Sequence, residues 1–161
     1  MEGMTDAVRP DRRTIMCATA LFGATATLSA CGDGRSEAPV NAPGPVPEPS
    51  GEGQVVLPAK DLPVKSRAQV AAKDPSGADV GVLLYRQDEQ TVLAYSNICT
   101  HQGCAVGVKS PAKTDFYCAC HGSHFDPLDG TATEGPAKGA LTRFACTIEQ
   151  GNILVYVPAE D

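Results

Sequence analysis

Two short segments constrain this chain more than anything else in it. One reads Cys99-Thr100-His101-Gln102-Gly103-Cys104, the other Cys118-Ala119-Cys120-His121-Gly122-Ser123-His124-Phe125. Together they hold four of the seven cysteines and all three histidines. A Cys-x-His in one loop and a Cys-x₂-His in another would offer two thiolates and two imidazoles to one metal centre, a set that tetrahedral zinc accepts. Cys104 and Cys120 remain, one in each segment. In an oxidising compartment such a pair favours a disulfide. A Cys104–Cys120 bridge would tie together the two loops that carry the ligands. It would close a loop of about 17 residues, worth about 3 kcal/mol in the chain-entropy picture.

The N-terminus indicates which compartment that is. Arg12-Arg13 precedes an Ala- and Thr-rich run too short and too weakly apolar to read as a membrane span. A charged start followed by such a run is a secretory signal. The paired arginines resemble a twin-arginine signal, which exports folded proteins; an ordinary secretion signal containing two arginines is the alternative. The run ends Leu28-Ser29-Ala30-Cys31, which resembles a lipobox whose cysteine is lipidated and becomes the first residue. The alternative there is a plain signal-peptidase site with Cys31 a bystander. On the lipobox reading, residues 1–30 are removed with Cys17, and Cys31 anchors the chain to a bilayer from outside the cytoplasmic membrane. Acyl anchoring contributes about 0.8 kcal/mol per buried CH₂, and more than one chain makes it stable.

Residues 31–54 carry five prolines and almost nothing large and apolar. They cannot offset their chain entropy by burial, so a disordered or polyproline-like tether is expected. Its reach in the polyproline limit is on the order of 70 Å. The folded domain is expected over 55–161. Aromatics at 5%, no Trp, 16 Gly and 13 Pro argue against a helical bundle and for a loop-rich all-β domain. Gly81–Arg86 with Thr91–Tyr95, and Arg143–Ile148 with Ile153–Val157, read as antiparallel hairpins. Gly151-Asn152 is expected to supply the positive-φ turn of the second. So small a core invites a staple or a metal. A net charge of −6 gives no reason to expect nucleic acid as a partner.

The two segments resemble the boxes of the Rieske [2Fe–2S] proteins, C-x-H-x-G-C followed by C-x-C-H-G-S, and both stand complete here. The resemblance implies a small antiparallel sandwich with two cluster-binding loops and one [2Fe–2S] cluster. It implies that Cys99 and Cys118 hold one iron and His101 and His121 the other. Exchanging two thiolates for neutral imidazoles raises the reduction potential, to roughly −150 to +300 mV across such centres. The Cys104/Cys120 pair is similar to the disulfide-bearing respiratory branch. Ser123 falls where that branch has a hydroxyl that hydrogen-bonds a cluster sulfide. Phe125 falls where high-potential members often have a Tyr that donates to a ligand sulfur, which implies a lower potential here. Ala119 replaces the usual Pro, and Gly135-Pro136 resembles the third loop that covers the cluster. His124 is left as a solvent-facing or neighbouring residue. Cys146 is expected as a buried free thiol on the strand face of Phe144 and Ile148. Asp115, Asp126 and Asp129 are expected in turns.

What the resemblance implies for function is one-electron transfer. The nearest role is the iron–sulfur subunit of a quinol–cytochrome c reductase, with His121 the contact for quinol and a cytochrome or membrane quinol oxidoreductase components as partners. Export by a route that carries folded proteins agrees with a cofactor inserted before export. The lipobox in place of a transmembrane anchor leaves a second reading open: a standalone carrier, or the small Rieske subunit of an oxidase of the arsenite-oxidase kind. An oxygenase has no room for a catalytic domain here and no spare 2-His-1-carboxylate set. A structural zinc lipoprotein is a further alternative, excluded by a red-brown protein with a Rieske EPR signal.

Overall fold

The runs Val82-Leu83-Leu84-Tyr85 and Val92-Leu93-Ala94-Tyr95 lack the polar alternation of a half-exposed strand, because both of their faces are buried. A computed structural model describes residues 40–110 and 114–159; the signal, Arg12-Arg13 and Cys31 lie outside the described residues. The strands are β1 (Gln54–Pro58), β2 (Arg67–Lys73), β3 (Asp79–Arg86), β4 (Val92–Ser96), β5 (Phe116–Cys118), β6 (Ser123–Phe125), β7 (Ala132–Glu134), β8 (Arg143–Glu149) and β9 (Asn152–Tyr156). One 3₁₀ turn, Ala59–Asp61, is the only helical element among the described residues, and none of these forms a helix long and apolar enough to cross a membrane. The all-β antiparallel architecture is the one expected.

Six strands form a basal sheet in the order β1-β9-β8-β4-β3-β2, and three form a second sheet, β5-β6-β7. The edges of the basal sheet are drawn together by Gln54 of β1. Its side-chain oxygen accepts from the Lys73 backbone N–H at 2.6 Å and its amide donates to the Lys73 carbonyl. Gln54 opens the first strand and ties it to the far edge of the sheet.

Strands β3 and β4 form a wall between two cores. On one side Val82, Leu84, Val92 and Ala94 pack with Phe144, Ile153 and Val155. On the other, Leu83, Leu93 and Tyr95 pack with Cys99, Val106, Phe116, Cys118, Phe125 and Leu141. Period-2 alternation sends successive residues to opposite faces, and here each face has its own core. Under the basal core Arg86 is buried, and its guanidinium donates to the carbonyls of Leu62 (3.0 Å), Asp88 (3.2 Å), Glu89 (3.1 Å) and Ala59. A buried guanidinium is tolerable only when its donors are filled in this way.

Both expected hairpins form, with a shift in the second turn. Glu149 pairs with Asn152, so the loop is Gln150-Gly151, with φ of 49° and 77°. Two positive-φ residues make the primed turn that suits strand twist. Asn152 is already the first residue of β9, so it does not supply the turn. Asp126 and Asp129 do sit in turns, accepting from the N–H groups of Leu128 (2.8 Å) and Thr131 (2.9 Å). Cys146 lies with Phe144 and Ile148 against the basal core but is only partly buried. Its thiol donates to the Val92 carbonyl at 2.9 Å, and burial pushes its pKa up to about 11.

The wall gives adjacent residues different duties. Leu83→Ala and Leu84→Ala should each cost about 2–5 kcal/mol in thermal unfolding. Only Leu83→Ala should speed amide exchange across residues 99–106 and 118–125, measured by mass spectrometry, since Leu84 faces the other core.

Candidate metal centre

The two boxes are loops of the same construction. The first leaves β4 and closes when the Gly103 N–H donates to the Cys99 carbonyl at 2.8 Å; the Cys99 N–H in turn donates to the Cys104 carbonyl at 2.8 Å. The second joins β5 to β6 and closes when the Gly122 N–H donates to the Cys118 carbonyl at 3.1 Å. The closing glycines have φ of 74° and 76°, a region in which a side chain is strained. Gly107 and Tyr117 exchange two backbone hydrogen bonds of 2.8 Å, which aligns the loops side by side. The Cys104–Cys120 disulfide joins them, with Cα atoms 6.5 Å apart.

Cys99 and Cys118 are free thiols, 3% and 1% exposed, within the upper core. Burial pushes the Cys118 thiol up and the neighbouring Cys99 adds to this, while the N–H groups of Cys120 and His121 aimed at its sulfur act in the opposite sense. Such donors favour the thiolate. The rings of His101 and His121 meet edge to face, with centroids 4.7 Å apart and planes at 88°. His101 Nδ1 is buried with no hydrogen-bond partner, while His121 lies exposed at the tip. A buried imidazole nitrogen without a partner is costly in a finished fold, and a metal would satisfy it. Two buried thiols and two imidazoles that meet, supplied by the same two loops, are a donor set that suits a thiolate–imidazole iron cluster. The sulfurs of Cys104, Cys118 and Cys120 also lie within 4.8 Å of one another. That trio is no separate metal site, because two of its members are spent on the bridge.

A third loop closes over the second box. Gly135 has φ 84°, and a Cβ there would stand 2.5 Å from the Gly122 carbonyl oxygen and 2.6 Å from Ser123 Cα. Ser123 is fully buried, and its hydroxyl oxygen accepts from the Ala137 N–H at 3.1 Å. The hydroxyl thus keeps its hydrogen for donation. Pro136 is half-buried between Gly135 and Ala137. Thr100 ties the first box to the same loop, donating to the Gly139 carbonyl at 2.6 Å. Phe125 is fully buried beside Cys99 and Cys118 in the upper core and has no polar atom to offer.

His124 and Asp115 depart from expectation. Asp115 is buried, not in an open turn; its Oδ2 lies 2.8 Å from His124 Nδ1, with side chains 12% and 14% exposed. His124 is therefore neither solvent-facing nor gathered with the other two imidazoles. On β6 it alternates with the inward Ser123 and Phe125, and it stacks on Tyr117 with centroids 4.7 Å apart. The pair staples β5 to β6 on the face opposite the thiols. Asp115, Thr100 and Ala137 were not legible as site residues. Their roles depend on contacts with residues 9, 39 and 14 positions away, and no local motif encodes those.

Comparison with known proteins now adds to this geometry. Residues 52–145 match the model of the Rieske [2Fe-2S] domain. A curated relative, the cytochrome bc1 complex Rieske iron-sulfur subunit of Corynebacterium diphtheriae, is 40% identical over 63 residues, 38% of this chain and 16% of that protein. The cytochrome b6-f complex iron-sulfur subunit of Chlorobaculum tepidum is 28% identical over 111 residues, 64% of this chain and 60% of that one. The chain thus spans less than two thirds of the length of these relatives. Among solved structures, the Sphingomonas yanoikuyae B1 ferredoxin is matched in fold over its whole length and 66% of this chain, with a TM-score of 0.53 and 20% identity.

The close approach of the third loop makes Gly135 a sensitive position. Gly135→Ala should lower the thermal midpoint and make the second box labile, since the new methyl would run into the Gly122–Ser123 backbone. Amide exchange of residues 118–125 should rise, whereas Gly77→Ala, a positive-φ site with open space, should leave it unchanged.

Proposed function

The chain belongs to the Rieske [2Fe–2S] family, and on that premise we propose that it is an exported, membrane-tethered carrier serving as the iron–sulfur subunit of a quinol–cytochrome c reductase. The family relation itself makes it a Rieske electron carrier related to the cytochrome bc1 and b6-f iron-sulfur subunits, with one [2Fe–2S] cluster. The observation that carries the assignment to residues is that the His101 and His121 rings meet edge to face on the same two loops that carry the buried free thiols of Cys99 and Cys118. On this reading Cys99 and Cys118 hold one iron, and His101 and His121 the other. When bound, the cluster accepts and returns a single electron at a potential raised by imidazole ligation.

The remaining chemistry belongs to the chain. The bridge and the third loop hold the four donors in place, so little rearrangement accompanies a change of charge. Burial of Cys99 and Cys118 keeps water from the sulfur side. His121 stands exposed, where an unprotonated outer ring nitrogen can accept a hydrogen bond from a quinol hydroxyl. Ser123 supplies a buried hydroxyl hydrogen next to the box, which favours the reduced, more negative state. A cytochrome would then receive the electron. Lipidation at Cys31 would keep the head at the outer face of a bacterial cell membrane.

A second reading is favoured by one comparison. A putative respiratory nitrate reductase subunit Rieske of Haloferax mediterranei is 38% identical over 63 residues, so boxes of this kind also occur in a protein named for a different oxidoreductase. On that reading the chain is the small Rieske subunit of an exported oxidase of the arsenite-oxidase kind, or a standalone carrier. Purification from membranes separates the two: an accompanying cytochrome b supports the reductase, and a molybdoenzyme or no partner supports the alternative.

Redox titration of the purified holoprotein followed by EPR should show one Rieske signal and one electron; a colourless, zinc-loaded protein would overturn the proposal. Phe125→Tyr should raise the midpoint. A hydrogen bond worth about 1 kcal/mol more to the reduced sulfur corresponds to roughly 40 mV for a one-electron couple. An unchanged or lowered midpoint would refute a role for position 125 in setting the potential.

A further inference from the structure

The proline-rich segment is not free where the structure describes it. Strand β7 is an edge of the three-stranded sheet, and such an edge leaves backbone groups unpaired. At Ala132 both outward groups are taken by one side chain. The Ala132 N–H donates to Asn41 Oδ1 at 2.8 Å, and Asn41 Nδ2 donates to the Ala132 carbonyl at 2.9 Å. A primary amide has the acceptor and donor needed to do this in the manner of an added strand; a carboxylate lacks the donor. Neighbouring residues follow the same path. A Cβ on Gly139 would lie 3.5 Å from the Val40 carbonyl oxygen, and one on Gly44 would lie 4.0 Å from Arg143 Cβ. At the other end, a Cβ on Gly53 would meet the Tyr156 ring at 2.7 Å. Residues 40–53 thus run from the third loop, which covers the second box, down to the basal sheet.

We propose that this segment is a strap, clipped by Asn41 to the cluster-bearing end, so that an anchor at Cys31 holds that end near the bilayer. Only nine residues of chain lie between Cys31 and Asn41, a reach of about 30 Å in the polyproline limit, against roughly 70 Å if the whole segment to Gln54 were free. The swing of the head is correspondingly limited while the clip is closed. The distance rests on the proposed lipidation of Cys31; the clip does not.

The test uses full-length holoprotein in phosphatidylcholine vesicles that carry a gadolinium-chelate headgroup lipid. Loss of the Asn41 contacts should speed exchange of the Ala132 amide roughly tenfold in Asn41→Ala, the change expected when hydrogen bonding of about 1.4 kcal/mol is lost. Asn41→Asp, which keeps only an acceptor, should also release the clip. Gadolinium should relax the EPR signal of the reduced cluster more strongly in the wild type than in Asn41→Ala. Equal Ala132 exchange in wild type and Asn41→Ala would overturn the strap, and equal relaxation would overturn its control of distance. Partitioning of the wild type into the aqueous phase of a detergent extract, with Ala132 still protected, would overturn the lipid anchor and leave the clip standing.

Discussion

The site depends on the backbone contact between Gly135 and the Gly122–Ser123 segment. Only a residue without a side chain fits there, and only because it fits can the Ala137 N–H reach Ser123 Oγ. Two loops from different strand pairs bring the His101 and His121 rings together, and neither loop is held in place by its own contacts alone. The disulfide joins them at one point, the Gly107–Tyr117 pairing at a second, and the third loop at a third. Three separated constraints fix the relative orientation of two bodies, which one covalent link alone would leave free to rotate.

The chemistry of the site was legible in the sequence because it is local. Each box carries its ligand candidates, its closing glycine and one half of the bridge within a few residues, and spacing alone shows that the two boxes correspond. The hairpins were legible for a related reason, since apolar runs and turn residues are near neighbours. Long-range pairings were not legible. Asp115 read as a turn residue, and nothing local shows that Arg67 donates to its backbone carbonyl and that His124 holds its carboxylate. The segment before Gln54 reads as unstructured by composition. One asparagine facing an unpaired strand edge changes that, and composition averages over single contacts.

Buried polar groups divide into two kinds. Arg86, with its donors filled by carbonyls, completes the base of the fold. Four buried side-chain atoms have no partner among the described residues, Tyr95 Oη, Ser110 Oγ, Asp115 Oδ1 and His101 Nδ1, and of these only His101 belongs to a ring that meets a second imidazole.

The wall formed by β3 and β4 has a consequence for how such a chain can change over time. Its two cores share a backbone but not a set of side chains, so volume changes below the wall are absorbed without reaching the ligand loops. Selection on the site therefore leaves the basal sheet free to drift. The wall acts as a firebreak between the core that carries the two loops and the core that answers only to packing.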